Sequence, residues 1–279
     1  MGHAFNWQNT SMAINKLSAV IISLNEERDI GRCLESLVDV CDEIIVLDAY
    51  SSDRTADICR AAGVTFLQRE WEGYSEAKNH ANGLASGDLI VSLDADEALS
   101  PELAESIRAL RHNAPAGTAY SMNRLNQYFG GWIRHGDWYP DRKVRIFRKN
   151  EGQWVGAIHE KLVFNSPTRI VRLKGDLLHY ASPTVRDYVA KSWHYAQLVA
   201  RADYEQRKTK LWIYHAAIKP ASLFIRSYFL KLGFLDGHRG FLLAAIAAWE
   251  RYTRYVVFRK LRREKPAAGS IPRPSRTDA

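Results

Sequence analysis

Leu89-Ile90-Val91-Ser92-Leu93-Asp94-Ala95-Asp96 is the stretch on which the reading of this chain turns. An apolar, β-prone run of this length reads as a buried strand, and it ends in two carboxylates. Alternation along a strand sends positions i and i+2 to the same face, so Asp94 and Asp96 are expected to point together and hold one divalent cation. Oxygen ligands on an open edge suit Mg2+ or Mn2+, which keep waters and bind substrate phosphates. A solvated acidic turn is the alternative for an isolated Asp-x-Asp, so the surrounding pattern has to decide.

Working outward, the same unit recurs. Leu17 to Ser23 is β-rich and precedes a helical pattern in which Ile30, Cys33, Leu34, Leu37 and Val38 share one face. Glu43 to Asp48 is followed by a helix with Ser52 as its expected cap. Val64 to Gln68 supplies a third strand, Gly73 to Ala85 a helix, and Ser100-Pro101 reads as an N-cap with proline at the first helical position. Strand and helix alternating in this way predict an α/β fold, a mainly parallel Rossmann-like sheet with helices on both faces. Ligands of such sheets sit at the carboxyl ends of the strands. The polar clusters Asn25-Glu26-Glu27, Asp48 to Asp53 and Asp94 to Glu97 all fall there.

The chemistry is narrowed by what those turns lack. The first strand-helix turn, Ser23-Leu24-Asn25-Glu26-Glu27-Arg28-Asp29, has no Gly-x-Gly-x-x-Gly, and the chain has no Gly-Lys-Ser or Gly-Lys-Thr. Without a glycine cradle, a diphosphate needs another anchor, and a cation on the acidic pair is the available one.

The 279 residues are 46% hydrophobic, enough for a substantial core, and carry 39 basic against 31 acidic side chains, a net charge of +8. That balance favours anionic partners. The three cysteines, Cys33, Cys41 and Cys59, show neither disulfide nor zinc spacing, which fits a reducing cytoplasm. The N-terminus to Asn15 has no apolar signal region. The apolar stretch Gly240 to Trp249 is far short of the roughly 20 residues that span a bilayer.

At this point a family resemblance emerges. Val20 to Glu27, Ile45 to Asp48 with Ser52 to Thr55, Ala77-Lys78-Asn79 and Leu93 to Glu97 resemble family 2 glycosyltransferases of the GT-A fold. Gly131 to Gly136, Trp138 to Asp141, Val144 to Phe147, His159-Glu160, Tyr228 to Leu230 and Gly233 to Gly237 are similar to the bacterial lipopolysaccharide inner-core β-glucosyltransferase subgroup. The resemblance spans residues 17 to 260. Ala49-Tyr50 departs from it, since the family more often has Ser-Gly there.

The resemblance implies an inverting, metal-dependent transfer of a hexose, glucose from UDP-glucose first, onto an inner-core heptose of a lipid-linked core oligosaccharide. Another nucleotide sugar or glycan-lipid acceptor is the alternative on the same fold. It also implies roles: Asn25, Glu27, Asp48, Asp53, Lys78 and Asp94 for the donor, and Asp96 with Asp94 for the metal. Glu160 would be the base that deprotonates the acceptor, with Asp141 next. Trp132, Arg134, His135, Trp138 and Tyr139 would meet the acceptor. His135, His159 and His179 could complete the metal shell, although a lone histidine is more often structural.

The expected organisation is a flexible N-terminus (1–16), a GT-A domain (17–182, donor half 17–118, acceptor half 119–182), a helical extension (183–263) and a disordered tail (264–279). On a helical wheel Leu242, Ala245, Trp249, Tyr252 and Val256 face one way and Arg251, Arg254, Arg262 and Lys265 the other. Such a helix suits an anionic membrane surface, and a lipid-linked acceptor would put the enzyme on the cytoplasmic face of the inner membrane. A non-catalytic nucleic-acid-binding protein is the reading from a different class. The acidic site and the clustering of basic residues in the C-terminal helix, rather than around a recognised RNA or DNA motif, argue against it.

Overall fold

In the computed structural model, which describes residues 14–156, 160–206 and 214–264, the run Leu17–Ser23 forms β1 and is buried at every position. Burial on both faces is what its unbroken apolar character requires. Leu17, Ala19 and Ile21 pack with Ile30, Cys33, Leu34 and Leu37 on one side of the sheet, and Val20 packs with Ile45, Ala81, Ile90 and Phe147 on the other. Val38 is exposed, because the helix carrying this face, α1 (Ile30–Glu35), stops before it.

The strands that follow are β2 (Glu43–Asp48), β3 (Thr65–Gln68), β4 (Leu89–Asp94), β5 (Glu97–Leu99), β6 (Thr118–Tyr128), β7 (Gly131–Ile133), β8 (Asp141–Arg148), β9 (Gly152–Val155), β10 (Lys161–Phe164) and β11 (Arg169–Ser182). The helices α2 (Thr55–Ala61), α3 (Tyr74–Leu84) and α4 (Pro101–Arg108) connect the early strands. Ser100 caps α4 by accepting from the Leu103 N–H at 3.3 Å, with Pro101 at the first helical position.

The sheet runs β3-β2-β1-β4-β8-β6-β11-β5. Its first four strands are parallel, in register from Ser18 opposite Glu43 and Leu17 opposite Leu89. β8 joins β4 and β6 antiparallel, and β5 joins β11 antiparallel. The expected parallel sheet is therefore its donor half, and the sheet as a whole is mixed, of the GT-A type.

The chain separates into two compact units. One runs up to Asn126 and resumes over Pro140–Ala181; the other joins Gln127–Tyr139 to the residues from Ser182 on. Residues 127–139, which the sequence places in the acceptor half, belong with the helices because Asp137 pairs with Arg226 and Lys231, and Asp236 accepts from the His135 N–H.

The helical unit contains α5 (Val185–Glu205), α6 (Lys219–Ile225) and α7 (Gly237–Glu264), with a π-helical turn at Arg226–Leu230. α7 buries Leu243, Ala244, Ile246, Tyr255 and Phe258, while Trp249, Tyr252 and Val256 on the apolar side of the wheel are exposed. Arg254 is neutralised by Glu250 at 2.5 Å. The helix is apolar on two sides and packed through one of them, which corrects the simple basic-against-apolar division. Among the described residues no helix is long and apolar enough to cross a membrane. The expectations for residues 1–13, His159, Lys265 and the tail beyond it lie outside the described residues.

Candidate active site

The loops leaving β1 and β2 are laced together. The Asn25 N–H donates to Ser51 Oγ (2.7 Å) and Asn25 Oδ1 accepts from the Ser52 N–H (2.8 Å). The Glu27 N–H donates to Asp53 Oδ2 (3.0 Å), while Glu27 Oε2 accepts from the Arg54 N–H (3.1 Å). Asn25 sits at φ +56°, a left-handed conformation that Asn tolerates. Tyr50 sits at φ +58°, where glycine would be unstrained; this is the departure noted at Ala49-Tyr50.

These contacts revise four of the donor residues. Asp48 is fully buried, and its carboxylate accepts from Ser23 Oγ (3.0 Å), the Ser51 N–H (2.8 Å), Ser51 Oγ (2.5 Å) and Gln68 Nε2 (3.1 Å). Four protein donors occupy its two oxygens, so its carboxylate ties the ends of β1, β2 and β3 together. Asp53 closes the start of α2, taking the Thr55 N–H (3.0 Å) and hydroxyl (2.5 Å), so it and not Ser52 does the capping. Its pKa lies below the ordinary carboxylate value because these bonds outweigh the effect of burial. Asn25 and Glu27 shape the loop, and Glu26 is the residue of that string that lines the cleft.

That cleft, about 450 Å³, opens at the carboxyl ends of β1 and β4. Trp71 and Tyr74 form one wall, an edge-to-face pair with centroids 4.8 Å apart. Sequence reasoning missed them, although two half-exposed aromatics three residues apart, beyond the end of β3, were a signal for stacking on a planar group. Asp94, Asp96 and His179 line the same cleft.

Beneath the cleft runs a chain of ion pairs. Lys78, 1% exposed, places Nζ 2.9 Å from both Asp94 Oδ1 and Glu160 Oε1 and 4.7 Å from the centre of the Trp154 ring. Arg145 Nη2 is 2.6 Å from Asp94 Oδ2 and 2.8 Å from Glu97 Oε1. Arg124 continues from Glu97 (3.4 Å) to Asp141 (2.8 Å), which also pairs with Lys143 (3.1 Å). Burial by itself would raise the Asp94 pKa, but Arg145 and then Lys78 outweigh it and hold the carboxyl well below the usual range. Lys78 is thus a buried counter-ion, correcting its expected place against the donor. Glu97 and Arg145 fell within strings the sequence marks, Asp94 to Glu97 and Val144 to Phe147, but neither was given a role, because local pattern does not show that β8 lies beside β4.

The two carboxylates of the acidic pair have parted company. β4 ends at Asp94, Asp96 lies in the turn before β5, and strand alternation does not extend to it. Both Asp94 oxygens are engaged by cations, Lys78 and Arg145. Asp96 Oδ2 instead lies 3.2 Å from His179 Nε2, and His179 Nδ1 lies 2.6 Å from Asn126 Oδ1. A proton on Nδ1 shared with Asn126 turns the Nε2 lone pair toward Asp96, the tautomer a ligating histidine needs. Among the described residues no three His, Cys, Asp or Glu side chains converge as a complete metal shell. A carboxylate and an imidazole facing a cleft still fit Mg2+ or Mn2+, which take their remaining ligands from phosphate and water.

The expected acceptor residues Trp132, Arg134, His135, Trp138 and Tyr139 lie in the helical unit. Arg134 and His135 donate backbone N–H groups to Asp236 (3.2 and 2.9 Å), and His135 Nδ1 is 3.0 Å from the same carboxylate. His135 is therefore committed to Asp236, which corrects it as a metal ligand. Trp138 hydrogen-bonds to the half-buried Tyr188, whose hydroxyl pKa is pushed up to about 12, chiefly by desolvation.

Comparison with known proteins agrees with this geometry. The model of glycosyl transferase family 2 matches residues 18–168. An uncharacterized glycosyltransferase of Rickettsia typhi is 29% identical over 258 residues, covering 89% of this chain and 88% of that protein. The lipopolysaccharide core biosynthesis glycosyltransferase LpsC of Rhizobium meliloti is 28% identical over 255 residues, covering 86% and 93%. Glucosyl-3-phosphoglycerate synthase of Mycobacterium tuberculosis, crystallised with Mn2+ and UDP, superposes with a TM-score of 0.34 at 28% identity, over 40% of this chain and 44% of that one, too little of either fold to bear on function. With more than half its length matched by the family model, and with the cleft at the strand ends that model covers, the chain belongs to glycosyl transferase family 2.

Proposed function

We propose that the chain is an inverting, metal-dependent hexosyltransferase that moves glucose from UDP-glucose onto a heptose of the lipopolysaccharide inner core, at the cytoplasmic face of the inner membrane. The observation that carries the donor side is the cleft that an aromatic pair, Trp71 and Tyr74, lines together with Asp96 and His179. The aromatics suit a planar base and the polar pair suits a diphosphate with its cation. The acceptor class is supported by the likeness to LpsC over most of both chains.

Asp96 and His179 would hold Mg2+ or Mn2+, and the ion supplies charge stabilisation to the departing diphosphate. Glu160 accepts the proton of the attacking hydroxyl as the oxygen–carbon bond forms and the bond to UDP breaks. Lys78 fixes the Glu160 carboxylate from below at 2.9 Å. Asp141 suits the base role less well, because Arg124 and Lys143 both hold it.

The test is UDP binding by calorimetry and UDP-glucose turnover, each with and without Mn2+. Asp96→Ala should abolish the Mn2+-dependent part of UDP binding. Glu160→Gln should keep that binding and lose at least about two orders of magnitude in turnover. Mn2+-dependent binding that Asp96→Ala leaves intact defeats the metal assignment, and normal turnover of Glu160→Gln moves the base to Asp141.

A further inference from the structure

Within the helical unit, α6, the turn Arg226–Leu230 and α7 enclose an open groove of about 500 Å³. Leu223, Ile225 and Leu230 line it, and Lys219, Arg226 and Arg251 stand around them. Ile225 and Leu230 are 50% and 74% exposed, and Phe229, Leu232 and Leu235 beside them are also exposed. A contiguous apolar surface of this kind on a soluble face marks an interaction site.

The cations say what kind. Arg226 and Lys231 share a single carboxylate, Asp137, at 2.9 and 2.7 Å, and Arg254 takes Glu250. Arg251 lacks an ion pair among the described residues, and it is half-buried. Burial first, then the like charges of Arg254 and Arg226, lower its pKa. Positive charge is thus in local excess against an apolar wall, the arrangement that complements a phosphate carried on a hydrocarbon chain.

We infer that this groove seats the phosphate headgroup and the first acyl methylenes of an anionic phospholipid, docking the helical unit on a membrane. The docking surface is this groove with its exposed aliphatic lip, rather than the basic side of α7. A soluble phosphate would satisfy the cations and leave Leu230 in water; a lipid satisfies both.

The test is co-flotation of the full chain at low salt with vesicles of phosphatidylcholine alone or with phosphatidylglycerol added. Wild type should partition onto the mixed vesicles and far less onto phosphatidylcholine. Arg251→Gln should weaken partition onto the mixed vesicles about fivefold and leave partition onto phosphatidylcholine unchanged. Leu230→Ser, at a position too exposed to affect folding, should weaken both about tenfold. UDP affinity, measured alongside, should be unchanged in both variants, which separates failure here from failure of the transferase reading. Equal partition onto both vesicle types, unchanged partition of Arg251→Gln, or thermal protection by inorganic phosphate without flotation would each overturn the lipid assignment.

Discussion

Replacing Arg145 by Met removes the guanidinium that ties Asp94 to Glu97 while keeping a side chain of comparable length. The two carboxylates it leaves are not equivalent. Glu97 is 1% exposed and retains only Arg124 at 3.4 Å and the Asp94 N–H at 3.1 Å. Asp94 is a third exposed through its side chain and keeps Lys78 at 2.9 Å. Removing one partner of a buried pair costs about 3 to 5 kcal/mol, most of it from the charge left behind. The surviving contacts of Glu97 put Arg145→Met at the lower end, about 3 kcal/mol, and solvent screening keeps the Asp94 share small. In a chain of this size that lowers Tm by roughly 6 to 12 °C. Adding Glu97→Gln neutralises the stranded charge and should return about half of the loss, a coupling that a double-mutant cycle reads directly. Urea unfolding at neutral pH, with hydrogen exchange at the β4 amides to locate the effect, is the measurement. A loss below about 1 kcal/mol, or no recovery in the double variant, would show that the ion chain does not organise the floor of the cleft.

Three further outcomes follow from the geometry. Asp48→Asn puts an amide donor against the four donors that Asp48 now receives, and should cost about 2 kcal/mol of stability while UDP affinity changes less than about threefold; lost UDP affinity at full stability would restore Asp48 to the donor site. Cys33, Cys41 and Cys59 are buried, with burial pushing Cys41 up to about 12 and Cys59 to about 11, so a disulfide reagent at mildly alkaline pH should titrate no thiol in the native protein and all three after denaturation. The Asp94 pKa is lower folded than unfolded, so its contribution is complete above the unfolded value of 3.8 and is lost as pH falls below it. Tm should therefore hold steady from neutral to about pH 5 and fall below about pH 4, and Arg145→Met should flatten that acid limb.

Local signals carried far along this chain. Ser100-Pro101 marked the start of α4, the helix expected over Gly73 to Ala85 matches α3 to within a residue at each end, and the alternation of strand and helix predicted the parallel half of the sheet. What local pattern could not show was which partner each charge would take. Asp94 meets Arg145, 51 positions away, and Lys78 meets Glu160, 82 away. Those pairings are set by strand order, which depends on β8 lying beside β4. The long strands β6, whose polar residues break the apolar pattern, and β11, interrupted by Gly175 and several charges, gave no clean strand signal, and with them went the signal that His179 on β11 would stand beside Asp96. Asp48 misled for a related reason: a carboxylate at a strand end looks the same whether its acceptors face a ligand or its own loop.

The charges beneath the cleft also bear on why donor binding should need a cation. Along the chain from Glu160 to Asp141 four carboxylates, Glu160, Asp94, Glu97 and Asp141, alternate with three cations, Lys78, Arg145 and Arg124. Each of these three cations is already shared by two acids, and Lys143 pairs with Asp141 at the end of the chain, so the ladder as a whole is neutral and has no cation to spare for a diphosphate. Asp96 adds a further carboxylate at the cleft surface itself. Although the whole chain carries +8, a diphosphate entering here meets net negative charge at short range, where screening is weakest. Lys78 cannot relieve this by turning outward without abandoning two carboxylates in a poorly solvated floor. On the proposed reading the protein has therefore spent its basic residues on rigidity and left charge compensation to a divalent ion at Asp96 and His179. It follows that Asp96→Asn, which removes one negative charge, should raise UDP affinity measured in chelator while lowering it in Mn2+. A uniform fall in both conditions would mean that Asp96 contacts the nucleotide itself.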